Sequence, residues 1–508
     1  MDTQTRSRTR RRGNQTAPVR QPNYRQLSHP FTPQQVFSED RVAAMHDTAL
    51  RVLEELGMKV LLPEARAILQ AAGARVEGEM VFIGRDMVTA ALASAPREIR
   101  LRAANPAREQ RYAEGTLLFT PGSGCPNVTD RVRGRRPGSL ESYVETLKLH
   151  QSFDVIHILG PSAEPQDVPP ALRHYPTMQA QMAFSDKPMF VHARGRAQIE
   201  ESLEMIRLGL DLSEDDFSDG VWAYTVINTN SPRVLDNPMA QGLIDFARAG
   251  QMSVVTPFCL AGAMAPVTPA GALVLQHAEA LAAITLVQMT RAGAPVSYGG
   301  FSSNVDMKSG APAFGTPSHV TMQVGAGQLA RFVGLPWRSA AGAASNTGDM
   351  QAALENTMGL WGGMMANATM MIHSAGWLEG GLAFGYEKFI NDVEALQMLA
   401  ELCTRSEADD DALGFDALAE VAPAGHFFAA QHTMARYSTA FYPPLVADLQ
   451  NFGNWTAAGE KTSTERATAI WQDCLAGFTP PETGAPVEDR LARYIEAGTA
   501  RGGAAPLD

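Results

Sequence analysis

The stretch GVWAYTVINTNSPRVLDNPMAQGLIDFARAGQMSVVTPF, residues 220–258, decides the fold. It opens on a short apolar run (220–227), turns through Asn228, Asn230 and Pro232, continues at helical period over 237–249, and closes on a second apolar run (252–258). Short apolar runs bounded by turn residues read as buried strands, and a helical stretch between two of them makes a strand–helix–strand unit with parallel strands.

The same alternation extends in both directions. Six further runs complete the set: TLLFT (116–120), DVIHIL (154–159), PMFVH (188–192), APVSYG (294–299), LPWRSA (335–340) and ATMMIHS (368–374). Helical stretches fall between them at 139–151, 170–184, 197–210, 269–291, 317–333 and 349–366. Eight units of roughly 36 residues are the number that closes a (β/α)8 barrel. An open doubly wound sheet would favour a glycine-rich phosphate turn after its first strand. TPGSGCPN (120–127) is interrupted by Pro121 and Pro126 and does not match that pattern. The expected fold is therefore α/β, a (β/α)8 TIM barrel over 111–404 with helical extensions at both ends.

The N-terminal cap, 36–110, is expected to hold a helix over 38–73, a hairpin over 73–84 and a helix over 85–96. The C-terminal extension, 405–508, opens on the acidic EADDD (407–411), carries helices over 463–475 and 487–497, and is expected to fray over 500–508. Residues 1–35 are polar, rich in proline and basic, and are expected to form a disordered tail.

Composition narrows the function. Of 508 residues 45% are hydrophobic and 19% charged, with a net charge of −12. Residues 1–25 carry seven arginines against Asp2, a charge of +6, so the rest of the chain carries −18. An acidic body argues against a nucleic-acid groove. No run of 18 apolar residues occurs, so no membrane span is expected. The first residues lack the apolar core of a signal peptide, and the four widely spaced cysteines fit a reducing cytoplasm without a cysteine zinc site.

Barrel active sites gather at the C-terminal ends of the strands. Those ends supply His192 and Arg194, Asn228 and Asn230, Phe258, Tyr298 and His373, with Phe301, Phe314, Trp377 and Phe384 just beyond. Amides, hydroxyls, rings and glycines dominate, and acids are few. No strand-end lysine offers a Schiff base and no ligand triplet offers a metal site, which counts against a lyase or aldolase and a metal hydrolase. Aromatic faces attract cations and build cages for quaternary ammonium groups. Each feature has a plainer alternative. The rings can be core packing, Asn228 and Asn230 can cap turns, and a one-residue slip in register turns His373 outward.

Four segments then resemble the trimethylamine methyltransferase-like family, which includes the glycine betaine:corrinoid methyltransferases. They are YGGFSSNVDMKSGAPAFGTPSH (298–319), GDMQAALEN (348–356), FGYEKFINDVEAL (384–396) and GHFFAAQHT (425–433). The resemblance implies a (β/α)8 barrel that moves a methyl group from a methylated amine to the Co(I) of a corrinoid on a small partner protein. Archaeal trimethylamine enzymes of the family use pyrrolysine. This chain reads through 339–351 in standard residues, which resembles a member without pyrrolysine.

A quaternary ammonium methyl needs no general base, so the expected role of the protein is to position the substrate, with no catalytic residue as such. The residues expected to bind it are His192, Arg194, Asn228, Asn230, Tyr298, Phe301, Phe314, His373, Trp377 and Phe384. The chain lacks a D-x-H-x-x-G corrinoid motif, so cobalamin is expected from the partner and not held tightly here. A glycine betaine-like quaternary amine is the expected substrate, with trimethylamine, or a non-catalytic amine-binding role, as the alternatives. A homo-oligomer is expected.

Overall fold

The computed structural model describes residues 23–507; residues 1–22, most of the basic tail, lie outside the described residues. Eight strands form one curled sheet. β1 (Leu27–Ser28) is antiparallel; β2 (Thr116–Phe119), β3 (Met189–Phe190), β4 (Ala223–Ile227), β5 (Met252–Val255), β6 (Val296–Gly299), β7 (Trp337–Ala340) and β8 (Met370–Ile372) are parallel. The spatial order is β1-β2-β8-β7-β6-β5-β4-β3. Helices α1 (Leu140–Ser152), α2 (His174–Phe184), α3 (Arg196–Gly209), α4 (Asn237–Ala249), α5 (Pro269–Thr290), α6 (Pro317–Phe332), α7 (Met350–Met365) and α8 (Tyr386–Leu402) lie along the chain between and after these strands.

Local chemistry sets the helix starts. Asp236, Thr268 and Thr316 each accept a hydrogen bond from a first-turn N–H, and each is followed by a proline at one of the first two helical positions. The side-chain oxygen satisfies an orphan donor, and proline costs nothing where no intrahelical bond is due. α5 is long and apolar enough to cross a membrane, yet most of its residues are buried, packed against α4, α6 and the helix Glu39–Arg51.

Seven of the eight apolar runs become strands; DVIHIL (154–159) does not. The imidazole Nδ1 of His157 accepts the Phe119 N–H, and the Tyr24 hydroxyl donates to the His157 carbonyl. With those groups diverted, the run makes one backbone bond to β2 and one to the residue that precedes β3. His157 N–H donates to Phe119 O and Leu159 N–H to Pro188 O, both at 3.0 Å. The ladder is a curled, mostly parallel half-barrel, and the closed eight-strand ladder expected from the run count is not formed.

The hairpin Glu98–Leu101/Gln110–Ala113 plugs the floor. Its Ile99, Leu101 and Tyr112 pack with Leu118, Ile158, Phe190, Tyr224, Met252, Val254 and Met370 in one buried cluster. The space at the C-terminal ends of the strands is left for a site.

Three expectations about the ends need correction. The tail does not run to residue 35: Leu27 and Ser28 pair with β2, and Tyr24 is held by Arg108 O and His157 O. The helix over 38–73 is broken at Gly57, whose φ of 67° suits glycine, into Glu39–Arg51 and Pro63–Ala71 with the strand Met58–Val60 between. Residues 504–507 are tied down, since Ala504 N–H donates to Ala171 O and Leu507 N–H to Arg194 O.

Candidate active site

A cavity of about 440 Å³ opens at the strand ends. That is the size of a small-molecule site. Its walls carry the rings of Phe190, His192, Phe258, Phe301, His373 and Trp377, and its polar groups include Glu164, Arg194, Thr225, Asn228 and Arg338.

The rings form a continuous wall. Phe301 stacks on Phe314 at 5.0 Å and 15°, meets Phe258 at 5.2 Å and stands edge-on to Trp377 at 5.7 Å. His373 stacks on Trp377 at 4.6 Å and 21°. The indole is clamped from the backbone, because a Cβ at Gly342 or Gly381, both with φ near 104°, would run into it.

His373 follows directly on β8 with φ 57°, a left-handed conformation uncommon outside glycine. It is held there by the Ser123 N–H, which donates to Nδ1 at 3.2 Å. Burial, with the nearby Arg338 cation adding to it, pushes the imidazole well below its ordinary range. The neutral ring therefore keeps its proton on Nε2. His192 is likewise neutral, pushed down to about 3 by burial and by Arg194, with Glu164 opposing.

Arg338 sits within β7 with 1% of its surface exposed. Its guanidinium lies 5.2 Å from the Phe301 ring centroid and leaves Nε without a hydrogen-bond partner. Among the described residues no carboxylate lies within ion-pair distance of it. Burial lowers it to about 9, with the phenols of Tyr112 and Tyr224 opposing. A buried cation without a counter-ion, on the wall of a cavity, has the chemistry to accept an anionic partner.

Arg194 differs. It pairs with Glu164, which also takes Arg173 Nη1 at 2.8 Å. Burial alone would raise Glu164, but the Arg194 and Arg173 cations outweigh it and hold the carboxyl below its ordinary range.

Known proteins share this chain's sequence over most of its length. The family model for trimethylamine methyltransferase (MTTB) matches residues 4–503. The chain belongs to the trimethylamine methyltransferase family. It is thus a methyltransferase by class. It is 34% identical over 463 residues to glycine betaine methyltransferase of Desulfitobacterium hafniense, covering 91% of this chain and 96% of that one. It is 28% identical over 465 residues to a trimethylamine methyltransferase of the same species, covering 91% and 92%. It is also 28% identical over 480 residues to proline betaine:corrinoid methyltransferase of Eubacterium limosum, covering 89% and 96%. The solved monomethylamine methyltransferase of Methanosarcina barkeri aligns with 91% of this chain and 87% of its own at 9% identity and a TM-score of 0.49, a likeness that carries no argument about the site.

In this trimethylamine methyltransferase family member, His192, Arg194, Asn228, Phe301, His373 and Trp377, all expected from the sequence to meet the substrate, line the cavity. Four expected residues do not. Phe314 is one layer back, behind Phe301 and Trp377. Tyr298 points to the helix layer, its hydroxyl 3.0 Å from His277 Nδ1, because it lies on the outer face of β6. Phe384 is fully buried against Tyr386 and Phe389. Asn230 is turned away by a tight bridge with Val234, after Thr229 is drawn to the buried Glu279.

Glu164 and Arg338 were missed. Glu164 arrives on a loop beyond the irregular second run. Arg338 was legible as a lone charge inside the apolar LPWRSA. Among the described residues no group of three His, Cys, Asp or Glu side chains could hold a metal ion.

Proposed function

We propose that the chain moves a methyl group from a quaternary amine zwitterion of the glycine betaine type to the corrinoid of a partner protein. The observation that carries this is the unpaired, buried Arg338 beside the wall of Phe258, Phe301 and Trp377. One end of a betaine is a carboxylate, for which a guanidinium is the fitting partner. The other end is a quaternary cation, for which ring faces are the fitting surface. The betaine-named relatives support the same reading.

The chemistry asks little else of the protein. The carbon–nitrogen bond breaks with its electron pair left on nitrogen, so the leaving group departs as a neutral tertiary amine and no proton moves. The corrinoid supplies a strongly nucleophilic reduced cobalt when its carrier presents it at the mouth. The cavity suits a small amine and is too small for a corrin ring, which fits a cofactor held by another protein. Arg338 and His373 Nε2 orient the carboxylate, and the ring wall holds the ammonium and excludes water. Trimethylamine fits less well, because its protonated form would share the cavity with an unpaired guanidinium.

The curled sheet, with Ile158 inside the floor cluster, supports reading the whole as a (β/α)8 barrel over 111–404 whose second stave is irregular.

The test mixes the purified chain with a reduced corrinoid protein and a panel of methylated amines, following corrinoid methylation by absorbance. Betaines are expected to react and trimethylamine to fail. Binding of a betaine without methyl transfer to any corrinoid carrier would favour a non-catalytic role, and turnover of trimethylamine alone would overturn the substrate assignment.

A further inference from the structure

Two segments conspicuous in the sequence, GDMQAALEN (348–356) and FGYEKFINDVEAL (384–396), supply none of the residues that line the cavity. They run largely along α7 and α8, and they send buried polar side chains toward the loops that carry the ring wall. Asn356 of α7, 1% exposed, joins two of those loops. Its Oδ1 accepts the Gly342 N–H at 2.8 Å, just beyond β7, and its Nδ2 donates to the Ser374 carbonyl at 3.1 Å, just beyond β8. Asp392 of α8 accepts the Gly376 N–H at 2.8 Å and takes Lys388 Nζ on both oxygens at 2.6 Å. Among the described residues no other group bonds to those three backbone atoms.

All three flank one side chain. Gly342 backs onto the Trp377 indole, Ser374 follows the His373 ring that stacks on it, and Gly376 directly precedes it. The indole has no hydrogen bond of its own, since its buried Nε1 is without a partner. The loop between β8 and α8 does not support itself either. His373, Gly376, Glu379, Gly380 and Gly381 all have positive φ, and backbone in that region persists only where its surroundings fix it. Stability does not account for the brace. A buried ion pair such as Lys388–Asp392 is often matched or bettered by apolar residues of similar volume, but those cannot accept the Gly376 N–H.

We propose that Asn356 and Asp392 are positioning residues, which fix the Trp377 indole from behind and so hold its face toward the cation of the substrate. That the indole meets a cation rests on the proposed function; where the indole sits does not.

The experiment uses two variants, Asn356→Leu and the double variant Lys388→Met plus Asp392→Leu, each of which removes part of the brace without leaving a buried charge. The full chain is labelled with 5-fluorotryptophan, and the Trp377 signal among its six tryptophans is assigned with Trp377→Phe. Binding is measured for glycine betaine, for choline, and for 3,3-dimethylbutanoate, which has the shape of betaine with carbon in place of the charged nitrogen. The wild type is expected to bind betaine roughly tenfold more tightly than this isostere. Each variant should shift the Trp377 signal, leave the Trp222 signal in place and bring that ratio below about threefold, while the preference for betaine over choline persists. An unmoved Trp377 signal overturns the inference, as does a shifted signal with the preference over the isostere unchanged. So does a joint loss of both preferences, which a general loosening of the fold would produce. If one variant does not fold, the other decides. A wild type that binds betaine and its isostere equally overturns the cation assignment of the proposed function instead, and the Trp377 signal still decides the brace.

Discussion

Phe258, Phe301, Phe314 and Trp377 stand in a chain of ring contacts at centroid separations of 5.0–5.7 Å behind the strand ends. Phe415, Phe428, Tyr437 and Phe441 belong to the same residue classes and lie open on the arm that follows α8 (405–441). The difference is what surrounds them. At the mouth, loops that follow different strands converge on one point, so rings distant in sequence cover one another and leave a cavity. On the arm, helices of four to six residues have no second layer to pack against. Aromatic surface is covered at the strand ends and uncovered on the arm. The first leaves a cavity of small-molecule size, and the second leaves its rings open to solvent.

The comparison predicts opposite outcomes for similar substitutions. The largest effect belongs to Arg338→Ala, which leaves a bound carboxylate buried without its partner. Loss of a buried charged hydrogen bond costs about 2–5 kcal/mol, so kcat/KM for glycine betaine should fall by roughly 30- to 4,000-fold in steady-state kinetics. Arg338→Lys should recover only part of this, because an ammonium lacks the guanidinium fork.

Trp377→Ala is expected next. Truncating a buried aromatic costs about 3–5 kcal/mol, read as a lowered denaturant midpoint, and removal of the wall should raise KM as well. Phe441→Ala on the arm should change the stability of the chain by no more than about 0.5 kcal/mol and leave kcat unchanged. Equal losses at the two positions would erase the distinction.

The smallest effect concerns pH. Burial pushes His150, His157 and His192 down to about 3 and His319 to about 4. Their folded values lie below the unfolded value of about 6.5. Their contribution to stability is therefore complete above about pH 6.5 and lost as pH falls toward 3–4. Tm should decline over that window, while KM for betaine should show no inflection near pH 6.5, since the cavity histidines are already neutral there.

Much of the half-barrel and its helices was legible because their local signals agree. The stretch 237–249 is α4 to the residue, capped by Asp236 and opened by Pro238. DVIHIL was not legible as an exception, since its diversion depends on Tyr24, more than 130 residues upstream. The site was legible in place but not in register. A strand buried on both faces has no polar side to mark inward from outward. Tyr298 and Phe301 looked equivalent on that account, and only the sheet sends one to the helices and the other to the cavity. Arg338 could have been found, because a single charge within a strand so apolar needs a partner, and none stands near it in the sequence.

The central claim is that the cavity recognises both ends of a zwitterion. Calorimetric titration of the full chain with glycine betaine and with choline, which keeps the trimethylammonium but lacks the carboxylate, tests it most directly. Betaine should bind at least tenfold more tightly than choline to the wild type, and Arg338→Ala should abolish that preference. Equal affinity of the wild type for the two ligands, or a preference that survives in the variant, would contradict it.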